Sequence, residues 1–150
     1  MGQTLTDLVT HAVFSTKDRR PLIDAEMRPR LFDYIGAIVR ELNGYPIAIN
    51  GTSDHVHLLL RLPPAVSLSY ALRTIKTNSS RWIHETWSDK DGFSWQSGYG
   101  AFSVSKSVVS QVAAYIAAQE VHHQKQRFQD ELLTFFKRHD LQYDERYIWK

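Results

Sequence analysis

The chain has 150 residues, 43% of them hydrophobic and 23% charged, a composition that excludes a disordered, collagen-like or repeat-built protein and fits one globular domain over residues 1–150. It has no cysteine, so a disulfide framework, a thiolate zinc site and a thiol nucleophile are excluded, and its longest wholly apolar stretch, Val112 to Ala118, falls far short of the roughly 20 residues a bilayer span needs. No basic region followed by an apolar one opens the chain, so no secretory signal is expected and the expected location is the cytoplasm; the formal charge of +2 marks no nucleic-acid binder unless basic residues cluster locally.

Leu8 to Ser15 is apolar and β-branched enough for a strand, which the charged turn Lys17-Asp18-Arg19-Arg20-Pro21 ends. Leu31, Ile35, Ile38 and Leu42 recur at helical spacing, with Asp24 as N-cap and Asn43-Gly44 as the stop, so a helix is predicted from about Glu26 to Leu42. Tyr45–Asn50 and His55–Leu62 read as a hairpin joined by Gly51-Thr52-Ser53-Asp54. Pro63-Pro64 closes it, and Ser67 is placed to cap a second helix with an apolar face of Leu68, Leu72, Ile75, Trp82 and Thr86. Trp95 to Val104 holds one or two short strands broken by Gly98 and Gly100. Ser107 opens a third helix running to about His123, and a fourth spans about Phe128 to Arg138. The order β-α-β-β-α-β followed by two helices predicts an α+β fold, a ferredoxin-like (split βαβ) antiparallel sheet with helices on one face and a C-terminal tyrosine-bearing helix. Such a fold hosts many functions, so activity must be argued from a site.

Side chains on a strand alternate faces. Val56, Leu58, Leu60 and Leu62 therefore form the core face of the third strand, and His55, His57, Leu59 and Arg61 the other. Two imidazoles about 7 Å apart along a strand can converge on one divalent ion, but they are also what two hydrogen-bonded structural histidines look like. Two ligands are too few for a metal site, so a third must come from elsewhere. On the third helix Gln111, Tyr115, Gln119 and His122 form one polar stripe beside the apolar Val108, Val112 and Ile116. That stripe offers Tyr115 as a nucleophile and Gln119 as an oxygen ligand, or else a packing phenol and a solvated amide.

Three segments together carry a resemblance: His11-Ala12-Val13-Phe14-Ser15-Thr16-Lys17-Asp18-Arg19-Arg20, Gly51-Thr52-Ser53-Asp54-His55-Val56-His57-Leu58-Leu59, and Tyr115-Ile116-Ala117-Ala118-Gln119. Over about residues 8 to 125 the chain resembles the single-tyrosine transposases of the HUH endonuclease class, which include small insertion-sequence enzymes and their relatives associated with repetitive extragenic palindromes. Asp18 departs from the pattern, since relatives often carry an aromatic residue there. The resemblance implies a divalent metal, Mg²⁺ or Mn²⁺, held by His55, His57 and Gln119. It also implies attack by Tyr115 on a DNA phosphate to leave a 5′-phosphotyrosine, and single-stranded DNA with hairpin-marked ends as substrate. A homodimer in which the tyrosine helix of one subunit completes the site of the other is implied too, with Gly98, Gly100 and Ser103–Ser107 supplying the flexible approach.

For DNA contacts the sequence offers Lys17, Arg19 and Arg20 in one turn and Arg73, Lys76 and Arg81 on the second helix, with exposed members of Trp82, Trp87, Trp95 and Tyr99 to stack on bases. His122-His123 reads as a further ligand or a partner of the helix dipole, the second being favoured. Two other readings stay open: a non-catalytic, domesticated binder of structured single-stranded nucleic acid, and a phosphoesterase using activated water.

Overall fold

A computed structural model describes residues 2–119 and 128–142; His122 and His123 therefore lie outside the described residues. Strands β1 (Val9–Ser15), β2 (Tyr45–Gly51), β3 (His55–Arg61) and β4 (Gly100–Ser103) form an antiparallel sheet in the order β2-β3-β1-β4. Helix α1 (Met27–Glu41) joins β1 to β2 across β3, and α2 (Leu68–Thr86) joins β3 to β4 across β1. This is the split βαβ plan expected from the sequence. Its start signals work as read: Asp24 Oδ1 accepts from the Met27 N–H at 2.9 Å and Ser67 Oγ from the Tyr70 N–H at 3.1 Å. Asn43, at φ 62°, ends α1 in the left-handed conformation that asparagine tolerates.

The core fills the space between the sheet and α1 and α2. Ala12 and Phe14 of β1 and Val56, Leu58 and Leu60 of β3 pack there against Leu31, Ile35 and Val39 of α1 and Leu72, Ile75 and Ile83 of α2. The face of α2 differs from the predicted one. Ala71, Leu72, Ile75, Ser79 and Ile83 are buried, whereas Thr86 is exposed and Trp82 stacks on Tyr34 at a centroid distance of 4.5 Å, beside the core. Ser79 holds a core position because its Oγ accepts the Trp95 indole N–H at 3.0 Å.

The other face of the sheet is covered too. Helix α3 (Val109–Ala117), which a short 3₁₀ turn at Lys106–Val108 precedes, lies over β2 and β3, where Ile116 packs on Leu59 and Val9. Helix α4 (Phe128–Arg138) sets Leu132 and Phe136 on Val13 and Phe102. Gly100 is not the flexible joint expected of it: it sits in β4, and a Cβ there would lie 3.3 Å from both Leu132 Cδ1 and Val13 Cγ1, so glycine is what lets α4 approach. Only Gly100–Ser103 of the Trp95–Val104 stretch is a strand, Trp95 making a single bridge to Thr16. Among the described residues no helix is long and apolar enough to cross a membrane.

Candidate active site

The face of the sheet between β3 and the two C-terminal helices is where the polar residues gather. The hairpin before β3 is tight: a Cβ on Gly51 would run into the His55 carbonyl, so glycine permits the close approach that starts the strand at His55. Register then places His55 opposite Ser15 and His57 opposite Val13 of β1. His55 and His57 share the face that carries Leu59, as strand alternation requires, and both are fully buried. Their ring centroids are 5.1 Å apart.

Each imidazole is oriented by its δ nitrogen. His55 Nδ1 lies 2.8 Å from Asp54 Oδ1 and 2.9 Å from Thr52 Oγ1, and its Nε2 points at Gln119 Oε1, 3.4 Å away. His57 Nδ1 lies 2.8 Å from His11 Nε2, and its Nε2 lies 2.8 Å from Glu131 Oε1. Both ε nitrogens therefore face oxygen atoms brought in from the C-terminal part of the chain.

Asn50 seats α3 on the sheet. Its amide donates to the carbonyl oxygens of Ile116 at 3.0 Å and Ala117 at 3.1 Å, two groups that a helix C-terminus leaves without intrahelical partners. Tyr115, one residue before, then faces His57 edge-on at a centroid distance of 6.0 Å. Burial, and then the neighbouring Glu131 carboxylate, push the pKa of its phenol well above the ordinary value. His11 is held neutral by burial and by the neighbouring His57, its pKa lowered to about 3. A cavity of about 270 Å³ reaches this cluster, lined by His11, Tyr115, Glu131, Thr134, Phe135 and Arg138.

The structure thus brings His55, His57, Tyr115 and Gln119 together, all within one chain, so the helix exchange implied by the resemblance is not needed to assemble them. It adds two residues that the sequence argument passed over. His11 had a signal, since its strand parity sets it on the face opposite Ala12 and Phe14. Glu131 had none, because nothing local to α4 says which strand it meets. The ligand atoms of His55, His57 and Glu131 lie within 4.8 Å of one another, a cluster of two imidazoles and a carboxylate that fits a divalent cation.

The expected DNA contacts divide. Arg73 and Lys76 line a cavity of about 490 Å³ with Tyr99, while Lys17 and Arg20 line one of about 230 Å³, and Ser94 borders both. Lys76 donates to the carbonyls of Ser97 at 3.3 Å and Gly98 at 2.9 Å, and burial lowers its pKa to about 8. Arg81 turns to Asn78 Oδ1 at 3.3 Å, and Arg19 sits at φ 55° within the turn with its N–H on the Thr16 carbonyl. Asp18, also in that turn at φ 56°, suits a left-handed position that an aromatic residue tolerates poorly. Trp95 is buried, and Trp82 and Trp87 pack on each other, leaving Tyr99 as the exposed ring of the four.

Comparison with known proteins gives the family. The family described as "Transposase IS200 like" matches residues 4–119, from before β1 through Gln119. The chain belongs to the IS200-like transposase family. Transposases for the insertion sequence element IS200 from Salmonella typhimurium and Salmonella typhi are each 30% identical to it over 118 residues, covering 73% of this chain and 74% of theirs. The crystal structure of a candidate transposase from Deinococcus radiodurans superposes with a TM-score of 0.62 at 25% identity, covering 79% of this chain and 96% of that one. A REP-associated tyrosine transposase bound to a REP hairpin shares the fold, with a TM-score of 0.61 at 16% identity over 82% of this chain and 72% of that one. This IS200-like transposase is therefore of the single-tyrosine HUH class, and its α+β sheet is the fold of its structural neighbours.

Proposed function

We propose that this transposase cleaves single-stranded DNA at hairpin-marked ends and transfers the strand through a 5′-phosphotyrosine formed on Tyr115. The observation that carries the proposal is the approach of Tyr115 to His57 on a face where His55, Gln119 and Glu131 also converge. His55, His57 and Gln119, with Glu131 alongside, would hold Mg²⁺ or Mn²⁺; when bound, the cation polarises the scissile phosphate and offsets charge on its non-bridging oxygens.

The remaining steps fall to the chain's own groups. A protonated phenol is a poor nucleophile, and Tyr115 is held protonated by burial. The Glu131 carboxylate, close enough to raise the pKa of that phenol, is the group that would take its proton. As the tyrosine oxygen bonds to phosphorus, the P–O3′ bond breaks and the 3′ oxygen leaves as a hydroxyl after taking up a proton. The ester keeps the energy of the broken bond, so another 3′-hydroxyl can attack it, release Tyr115 and join new ends. No nucleotide triphosphate is needed, in keeping with a sequence that has no G-x-x-x-x-G-K-[ST] loop.

The two basic cavities that meet at Ser94 offer the strand its phosphate contacts through Lys17, Arg20, Arg73 and Lys76, with Tyr99 placed to stack on an unpaired base. A hairpin substrate accords with the structural neighbour that was solved bound to one. Because these residues meet within one chain, a homodimer in this reading joins two such sites, and the cytoplasm is the place of reaction.

The test is an SDS-resistant adduct between the protein and a hairpin-bearing single-stranded oligonucleotide in Mg²⁺ or Mn²⁺. The proposal expects the adduct, and expects its loss in Tyr115→Phe with hairpin binding retained. Binding without any adduct would favour the non-catalytic binder, and turnover without an adduct the water-using phosphoesterase.

A further inference from the structure

We infer that His11 is a positioning residue of the metal site: its Nε2 accepts the Nδ1 proton of His57 and so directs the ε nitrogen of His57 at the cation. The inference rests on the metal reading above. An imidazole that binds a metal through one nitrogen keeps its proton on the other, and that N–H needs an acceptor to fix the ring and its tautomer. For His55 the acceptor is a carboxylate, Asp54 Oδ1 at 2.8 Å. For His57 the atom in the equivalent place is His11 Nε2, also at 2.8 Å. Two histidines two residues apart on one strand are thus braced from opposite sides, one by the residue before it and the other by the neighbouring strand.

Packing alone does not explain an imidazole at position 11. The residue is 3% exposed, flanked by Phe102 at 6.1 Å and Phe135 at 5.2 Å, and stacked on His57 at 5.1 Å with the planes 29° apart. A leucine or phenylalanine would suit these apolar neighbours without the cost of burying two ring nitrogens. Among the described residues, the contact with His57 is the one that uses Nε2. The two facing nitrogens share one proton, so the dyad has two states. In one, His11 donates to His57 and the ε nitrogen of His57 donates to Glu131. In the other, His57 donates to His11 and its ε lone pair faces the site. A cation at that nitrogen is compatible with the second state alone.

The experiment uses the full chain and reads metal binding and tautomer rather than cleavage. Calorimetric titration with Mn²⁺ should show His11→Leu binding roughly 10- to 100-fold more weakly than the unchanged protein. His11→Gln, which keeps an acceptor oxygen within reach of His57 Nδ1, should recover most of that loss. Long-range ¹H–¹⁵N spectra of the unchanged protein loaded with Mg²⁺ should find the His57 proton on Nδ1. Equal Mn²⁺ affinity in His11→Leu, no recovery in His11→Gln, or a His57 proton on Nε2 in the loaded protein would overturn the role of His11. An unchanged protein that binds no Mn²⁺ would overturn the metal reading itself, and this inference with it.

Discussion

Glu131 acts on both halves of the site, its Oε1 lying 2.8 Å from His57 Nε2 and its charge adding to burial in raising the pKa of the Tyr115 phenol. Its negative charge favours the protonated phenol, so Glu131→Gln should lower the pKa of Tyr115 part of the way towards that of an ordinary tyrosine, the share due to burial remaining. Absorbance titration near 295 nm, with Tyr115→Phe to assign the signal among seven tyrosines, checks this; an unchanged titration would separate Glu131 from the phenol. At this scale the sequence was legible where chemistry follows local spacing. His55 and His57 share a face because strands alternate, and Tyr115 and Gln119 fall on one side because they are four apart, although α3 ends at Ala117 and Gln119 lies just beyond it rather than on the long helix expected. Glu131 was not legible, because only the docking of α4 decides which residues meet its carboxylate.

Among the elements, α3 carries Tyr115, the proposed nucleophile, on a short helix, and its hold on the sheet comes from Ile116 in an apolar contact and from Asn50 at its end. Asn50→Ala removes two hydrogen bonds to carbonyls at the helix terminus, a loss on the order of 1 kcal/mol of local stability. Adduct formation should fall several-fold while the core formed by α1, α2 and the sheet keeps its amide protection. Exchange that quickens in the core as much as in α3 would contradict this local role. Hairpin and caps were readable from Gly51 to Asp54, Asp24 and Ser67, since turn and cap chemistry is local. The face of α2 was misread because Ser79 is a core residue only through Trp95, and the closeness of α4 to β4 at Gly100 is set by packing that a glycine does not announce.

For the whole molecule, the sheet separates two kinds of surface: the cluster of imidazoles under α3 and α4, and the basic cavities beside α2. Lys76 belongs to the second, and burial lowers its pKa to about 8. As pH rises through that value the cavity loses a positive charge, so hairpin affinity should decline between about pH 7 and pH 9. Lys76→Arg, whose charge persists, should flatten the decline; an identical pH profile would remove Lys76 from the DNA surface. Assembly in cis has its own consequence. Mixing Tyr115→Phe with His57→Ala should restore no adduct, whereas restoration would show that protomers exchange α3. The strand order was legible because split βαβ connections follow from element order, but the relation of the C-terminal helices to the sheet was not, since they reach it only through tertiary contacts.

Peptide mapping of the trapped adduct by mass spectrometry shows which side chain becomes joined to DNA phosphate. If the phenol of Tyr115 is the nucleophile, the 5′-phosphate will be found on the peptide containing Tyr115. A nucleotide found on Tyr99 or any other tyrosine would contradict it.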